Sequence, residues 1–162
     1  MLNKAFIVKL DIFISQYMSI YGILFLRYSL AMIFIWFGLL KPFGISPAQE
    51  LVANTVYWFD DKAAFVKFLG WWEVAIGATM CFRPLIRTSI FLLFLQMPGT
   101  FLPLVLLPEV CFTDFPYGLT LEGQYIIKNL IIISSALVIG GTVRKNISYN
   151  TEQHTHIWNQ LK

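Results

Sequence analysis

A chain of 162 residues with 57% hydrophobic and only 13% charged side chains carries roughly half the charge of an ordinary soluble domain, and its mean hydropathy is +0.67. So few charges cannot cover the exterior of a soluble fold of this size, and the composition points into a lipid bilayer. The net charge of +3 is small and scattered, with no basic run interleaved with aromatics, which excludes a nucleic-acid partner.

The stretch from Lys4 to Ser19 is apolar but carries Lys4, Lys9, Asp11, Ser15 and Gln16. Lys4, Asp11 and Ser15 fall on one side at helical spacing, so residues 1–20 are expected to form an interfacial amphipathic helix against the cytoplasmic leaflet. Charges interrupt the stretch and no small-residue cleavage site follows, so it is expected to be retained rather than removed as a signal peptide.

Four apolar segments then approach the ~20 residues needed to cross the hydrocarbon: Tyr21 to Leu40, Phe65 to Phe82, Ile86 to Leu107 and Tyr125 to Val143. None alternates as a strand would, and each is too long for a barrel strand, so helices are predicted. The third holds Met97-Pro98-Gly99-Thr100 near its centre, followed by Pro103 and Pro108. Pro98 and Gly99 are therefore a candidate helix break, since proline lacks a donor and crowds the preceding turn. Broken backbone at membrane depth survives where protein or a polar cavity covers it. The expected fold class is an all-α integral membrane four-helix bundle over residues 21–143, with the N-terminal interfacial amphipathic helix and a polar cytoplasmic tail over 144–162.

Lys4, Lys9, Arg83, Arg87, Arg144, Lys145 and Lys162 fall together if both termini are cytoplasmic, and Pro108 to Gly123 has no Lys or Arg. The positive-inside rule then favours a multi-pass chain with both termini in the cytoplasm and with Trp58, Trp71, Trp72 and Tyr117 near the external interface. In that topology Cys81 and Cys111 lie on opposite sides of the bilayer and are not expected to pair. There is no Cys-x-x-Cys, no serine elbow and no histidine in a span; His154 and His156 sit in the polar tail. No haem or metal motif is present, Gly140-Gly141 lacks the strand-to-helix setting of a dinucleotide loop, and a self-contained enzyme is not expected.

The polar groups at membrane depth carry what chemistry remains. Glu73, in Leu69-Gly70-Trp71-Trp72-Glu73-Val74-Ala75-Ile76-Gly77, is expensive there unless it is paired or has work to do. Lys41 ends the first span and Lys128 opens the fourth, so both reach the outer half of the bundle with Glu73, and Lys128 is the partner first expected. Gln96 and Asn129 complete the predicted cluster. Arg27 stands apart near the cytoplasmic end as an interfacial or structural charge. Snorkelling to the nearer interface is the plain alternative for Arg27 and Lys41, and a structural ion pair is the plain alternative for Glu73.

Arg27-Tyr28-Ser29-Leu30-Ala31 through Gly38-Leu39-Leu40-Lys41, then Leu69-Gly70-Trp71-Trp72-Glu73, Thr100-Phe101-Leu102-Pro103-Leu104, Phe115-Pro116-Tyr117 and Ile127-Lys128-Asn129-Leu130, resemble the reactive chlorine resistance membrane protein C family, a branch of the DoxX-like membrane proteins. The likeness runs from about Leu26 to Gly141, and Arg27, Lys41, Glu73 and Lys128 match its charged positions. The first external loop is shorter here, and the terminal segments are the chain's own. The resemblance implies an accessory inner-membrane protein in redox homeostasis or in resistance to reactive chlorine and oxidants. More distantly it implies kinship with small membrane subunits of quinone-linked oxidoreductases, and so a quinone-linked membrane partner. The residues themselves name no ligand, leaving a quinone or a lipid open, and leave a second copy open as neighbour. A small-molecule transport or permeation module, or an assembly subunit of a membrane complex, is the alternative reading.

Overall fold

The protein is described here by a computed structural model that covers residues 4–143. The tail 144–162, with Arg144, Lys145, His154 and His156, lies outside the described residues. Helix α1 runs from Lys4 to Leu40, 37 residues, or about 55 Å at the α-helical rise. It joins the expected interfacial helix to the first span without a corner. The reason is local: Lys4 to Tyr21 contains neither proline nor glycine, and nothing in it ends a helix. Side chains 6–19 are exposed on every face, whereas further along Arg27, Leu30, Ala31, Phe34, Gly38 and Lys41 form one buried stripe at helical spacing.

A short α2 (Gln49–Thr55) leads to α3 (Lys62–Cys81). Asp61 caps α3 by accepting from the Ala64 N–H at 2.9 Å. A 3₁₀ turn at Arg83–Leu85 opens α4 (Ile86–Phe101), followed by the single turns α5 (Pro103–Leu106) and α6 (Pro108–Cys111). The loop between α6 and the next helix contains a small antiparallel hairpin, absent from the all-α expectation: β1 (Phe112–Asp114) pairs with β2 (Gly118–Leu119). Helix α7 (Leu121–Ile127) and helix α8 (129–143) follow.

Among the described residues three stretches are long and apolar enough to cross a membrane: Phe6–Leu40, Arg83–Leu106 and Leu121–Val143. Helix α3 has 20 residues but carries Lys62, Lys67 and Glu73, and it does not join that set. It packs centrally all the same. One core draws Leu30, Ala31 and Phe34 from α1, Ile76 and Met80 from α3, Ile86, Leu93 and Met97 from α4, and Ala136 and Ile139 from α8. Two side-chain hydrogen bonds tie α3 and α4 together: the Trp72 indole N–H of α3 donates to the Leu92 carbonyl of α4 at 3.3 Å, and the buried Ser89 hydroxyl of α4 donates to the Ile76 carbonyl of α3 at 2.7 Å.

The interruption expected at Pro98 and Gly99 falls elsewhere. Helix α4 continues through Pro98 to Phe101, and the helical run breaks at Leu102. Pro103 has no N–H to give the Gly99 carbonyl, so the Leu102 N–H takes that carbonyl instead, at 3.4 Å, tightening the last turn. The final span is also interrupted, at Lys128. There the Asn129 side-chain amide donates to the carbonyls of Tyr125 and Ile126, at 3.2 and 3.0 Å, and competes with the backbone ladder.

Helices α1 and α3 approach so closely that a Cβ on Gly70 would lie 2.6 Å from the Gly38 carbonyl oxygen, and one on Gly77 would lie 2.6 Å from the Ala31 carbonyl oxygen. At Gly99 an added Cβ meets nothing within 4 Å. Gly70→Ala should therefore lower the thermal midpoint in detergent, an overpacking cost of about 1–3 kcal/mol. Gly99→Ala should leave it unchanged or raise it, since alanine is the better helix former by about 1 kcal/mol. Equal midpoints for the two variants would refute the close α1–α3 contact.

Candidate functional site

The close approach of α1 and α3 builds the polar site. Gly70, Glu73 and Gly77 lie on one face of α3 at helical spacing, and all three meet α1. Gly38 sits against the Glu73 Cβ, and Gly70 sits against the Lys41 Cβ. With no side chain at either glycine, the Lys41 stem can run along α3 to the carboxylate. Lys41 directly follows the last turn of α1, where the unsatisfied carbonyls favour a cation.

Lys41 Nζ donates to Glu73 Oε2, an ion pair with side chains only 7% and 12% exposed. Gln96, on α4, donates its Nε2 to Glu73 Oε1 at 2.9 Å. One carboxylate therefore joins three helices, with each oxygen taken by a different neighbour. Gln96 Oε1 is buried and has no hydrogen-bond partner, so the cluster has one spare acceptor. Chemically this is a neutralised pair with an amide beside it. It can hold a hydrogen-bond donor at Gln96 Oε1, but Glu73 has no oxygen left over.

Of the predicted cluster, Glu73, Lys41 and Gln96 come together and Lys128 and Asn129 do not. Lys128, the partner first expected, is exposed and extends over the Tyr125 ring, its Nζ 4.8 Å from the centroid. Asn129, at the start of α8, is spent on the Tyr125 and Ile126 carbonyls of α7. Arg27 lies on the buried stripe of α1, 7% exposed, with its guanidinium carbon 4.6 Å from the Tyr28 ring centroid and its Nε without a hydrogen-bond partner. Pro98 and Gly99 are exposed and line no part of the cluster. The roles of Gly38 and Gly70 escaped the sequence reading; their position beside Lys41 and Glu73, three residues away in each case, was the available signal.

Among the described residues no group of three His, Cys, Asp or Glu side chains could hold a metal ion. Both cysteines are free. Burial pushes the Cys111 thiol up from its ordinary value, and the nearby Glu122 and Glu109 carboxylates push it further.

Removing one partner of the Lys41–Glu73 pair leaves a buried charge alone, a loss of about 3–5 kcal/mol. Lys41→Met and Glu73→Gln should each lower folded yield and thermal midpoint sharply, and the double variant should recover part of the loss. Lys128→Met, at an exposed side chain, should change stability by no more than about 0.5 kcal/mol. A double variant no better than the worse single one would show that the pair is not the unit of stability.

Compared with known proteins, the chain matches no protein-family model, no curated protein and no solved structure.

Proposed function

We propose that the chain is a multi-pass inner-membrane protein of the DoxX-like type, a four-helix bundle with both termini in the cytoplasm, acting as an accessory protein in redox homeostasis under reactive-chlorine or oxidative stress. The observation that carries the reading is the carboxylate of Glu73, buried among apolar helices and shared between Lys41 and Gln96. A carboxylate placed there without a partner is costly in a bilayer, and a soluble fold has no need to bury one. Lys41 and Glu73 are also two of the four charged positions on which the family resemblance rests. In this reading α3 crosses the membrane with the three more apolar helices, its charge neutralised by α1. A quinone-linked membrane partner is the proposed neighbour, and an accessory role suits a cluster in which both carboxylate oxygens are engaged by the chain's own side chains.

The saturation of Glu73 also favours a second reading, in which the cluster is a structural junction of an assembly subunit. The two differ in what oxidants do to cells. Deleting the gene should sensitise the host to hypochlorite, and expressing the intact chain should restore survival. Survival unchanged by deletion, under hypochlorite and peroxide alike, would sink the stress role and leave the assembly role. Topology has its own check. A phosphatase fused after Lys162 should be inactive and a fluorescent protein fused there bright, because Arg83 and Arg87 flank one end of the helices while the loop from Pro108 to Gly123 at the other has no Lys or Arg. An active phosphatase would invert the orientation.

A further inference from the structure

Between α1 and the last helix lies an open apolar groove of about 300 Å³, lined by Leu26, Leu130, Ile131, Ser134, Ser135 and Val138. Its two hydroxyls are turned back on their own helix, Ser134 donating to the Leu130 carbonyl and Ser135 to the Ile131 carbonyl. The groove walls thus offer hydrocarbon to a ligand. Next to Leu26 in the chain stands Arg27, whose side chain is more than nine-tenths buried and whose Nε lacks a partner.

Register fixes the depth of Arg27. Gly38 meets Gly70 and Ala31 meets Gly77, so one further turn of the antiparallel pair sets Arg27 level with Cys81, the last residue of α3, beside the Arg83–Leu85 turn. This is the basic end of the molecule, with Arg83 and Arg87 exposed. Among the described residues the carboxylates lie elsewhere. Glu50, Asp60, Asp61, Glu109, Asp114 and Glu122 belong to the opposite end, Glu73 is occupied by Lys41 and Gln96, and Asp11 is about 24 Å away along α1.

We propose that this groove is a binding site for an anionic phospholipid, with an acyl chain along the groove and the phosphate held by Arg27. The argument is one of complementarity. The planar guanidinium suits a phosphate fork, and a phospholipid is the bilayer component that joins such an acceptor to a chain fitting an apolar groove. The proposal rests on the membrane reading above but not on the stress role or on the Glu73 cluster.

The test uses the full chain, extracted from membranes and equilibrated with equal amounts of phosphatidylglycerol and phosphatidylcholine, with retained lipid read by native mass spectrometry. Intact protein should retain the anionic lipid over the zwitterionic one by roughly tenfold, the scale of one charge-assisted hydrogen-bonded contact. Arg27→Gln should bring the ratio close to one, whereas Arg83→Gln with Arg87→Gln should leave it. Ser134→Trp, at an exposed groove position, should fill the groove and reduce retention of both lipids. No preference in the intact protein, or a preference that survives Arg27→Gln, overturns the site. Should Arg27→Gln fail to fold, undiminished retention by Ser134→Trp overturns it instead. Recovery of the chain in the soluble fraction would overturn the membrane reading itself, an outcome distinct from membrane-extracted protein without lipid preference.

Discussion

The contact between the backbones of α1 and α3 at Gly38 and Gly70 is the constraint on which the rest depends. Small residues let helices approach until backbone atoms touch, which gives dense packing where no hydrophobic force separates protein from lipid. The same approach brings the stem of Lys41 under α3 and the base of Glu73 against α1. A methyl group at either glycine would part the helices and draw the cation from the carboxylate. Packing and electrostatics are therefore one feature here rather than two.

The carboxylate then extends the arrangement to a third helix. Gln96 brings in α4, and the Trp72 and Ser89 hydrogen bonds hold that helix to α3 on the N-terminal side of Gln96. A buried ion pair contributes little net stability by itself, because removing both charges from water offsets most of their attraction. Its value lies in specificity: of the many ways apolar helices can rotate against one another, few satisfy all three groups. Apolar surfaces that slide freely would otherwise leave the rotation of α3 and α4 poorly fixed.

The sequence exposed charges by contrast and depth by counting, but it did not expose rotation. Glu73 and Lys41 stand out because each interrupts an apolar run. Gln96 stands out only as a polar residue inside the third apolar run. Lys128 has a suitable depth and a long side chain, yet it projects away from the cluster, because Asn129 disturbs the turn that carries it and Tyr125 offers its ring face. Pro98 drew attention as the proline inside the run, while the weaker point was set by Pro103, whose missing donor leaves the Gly99 carbonyl to Leu102. The polar residues of the N-terminal segment suggested a separate helix; continuity of the backbone depends on the lack of a terminator, which was equally legible in Lys4 to Tyr21. The glycine contacts were the least legible, since glycine in an apolar helix has many uses and only the facing helix selects among them.

In the proposed four-span bundle, chain order gives the central helix a particular route into the bilayer. Helix α3, burdened by Lys62, Lys67 and Glu73, is the one least able to partition into lipid alone, and its carboxylate is the costliest group it brings. Ribosomal synthesis delivers α1 first, with Lys41 at its trailing end and Gly38 on the face that α3 will meet. In the proposed bundle the later helix therefore meets its counter-charge at the moment of insertion, and α1 serves as the template on which α3 enters the membrane.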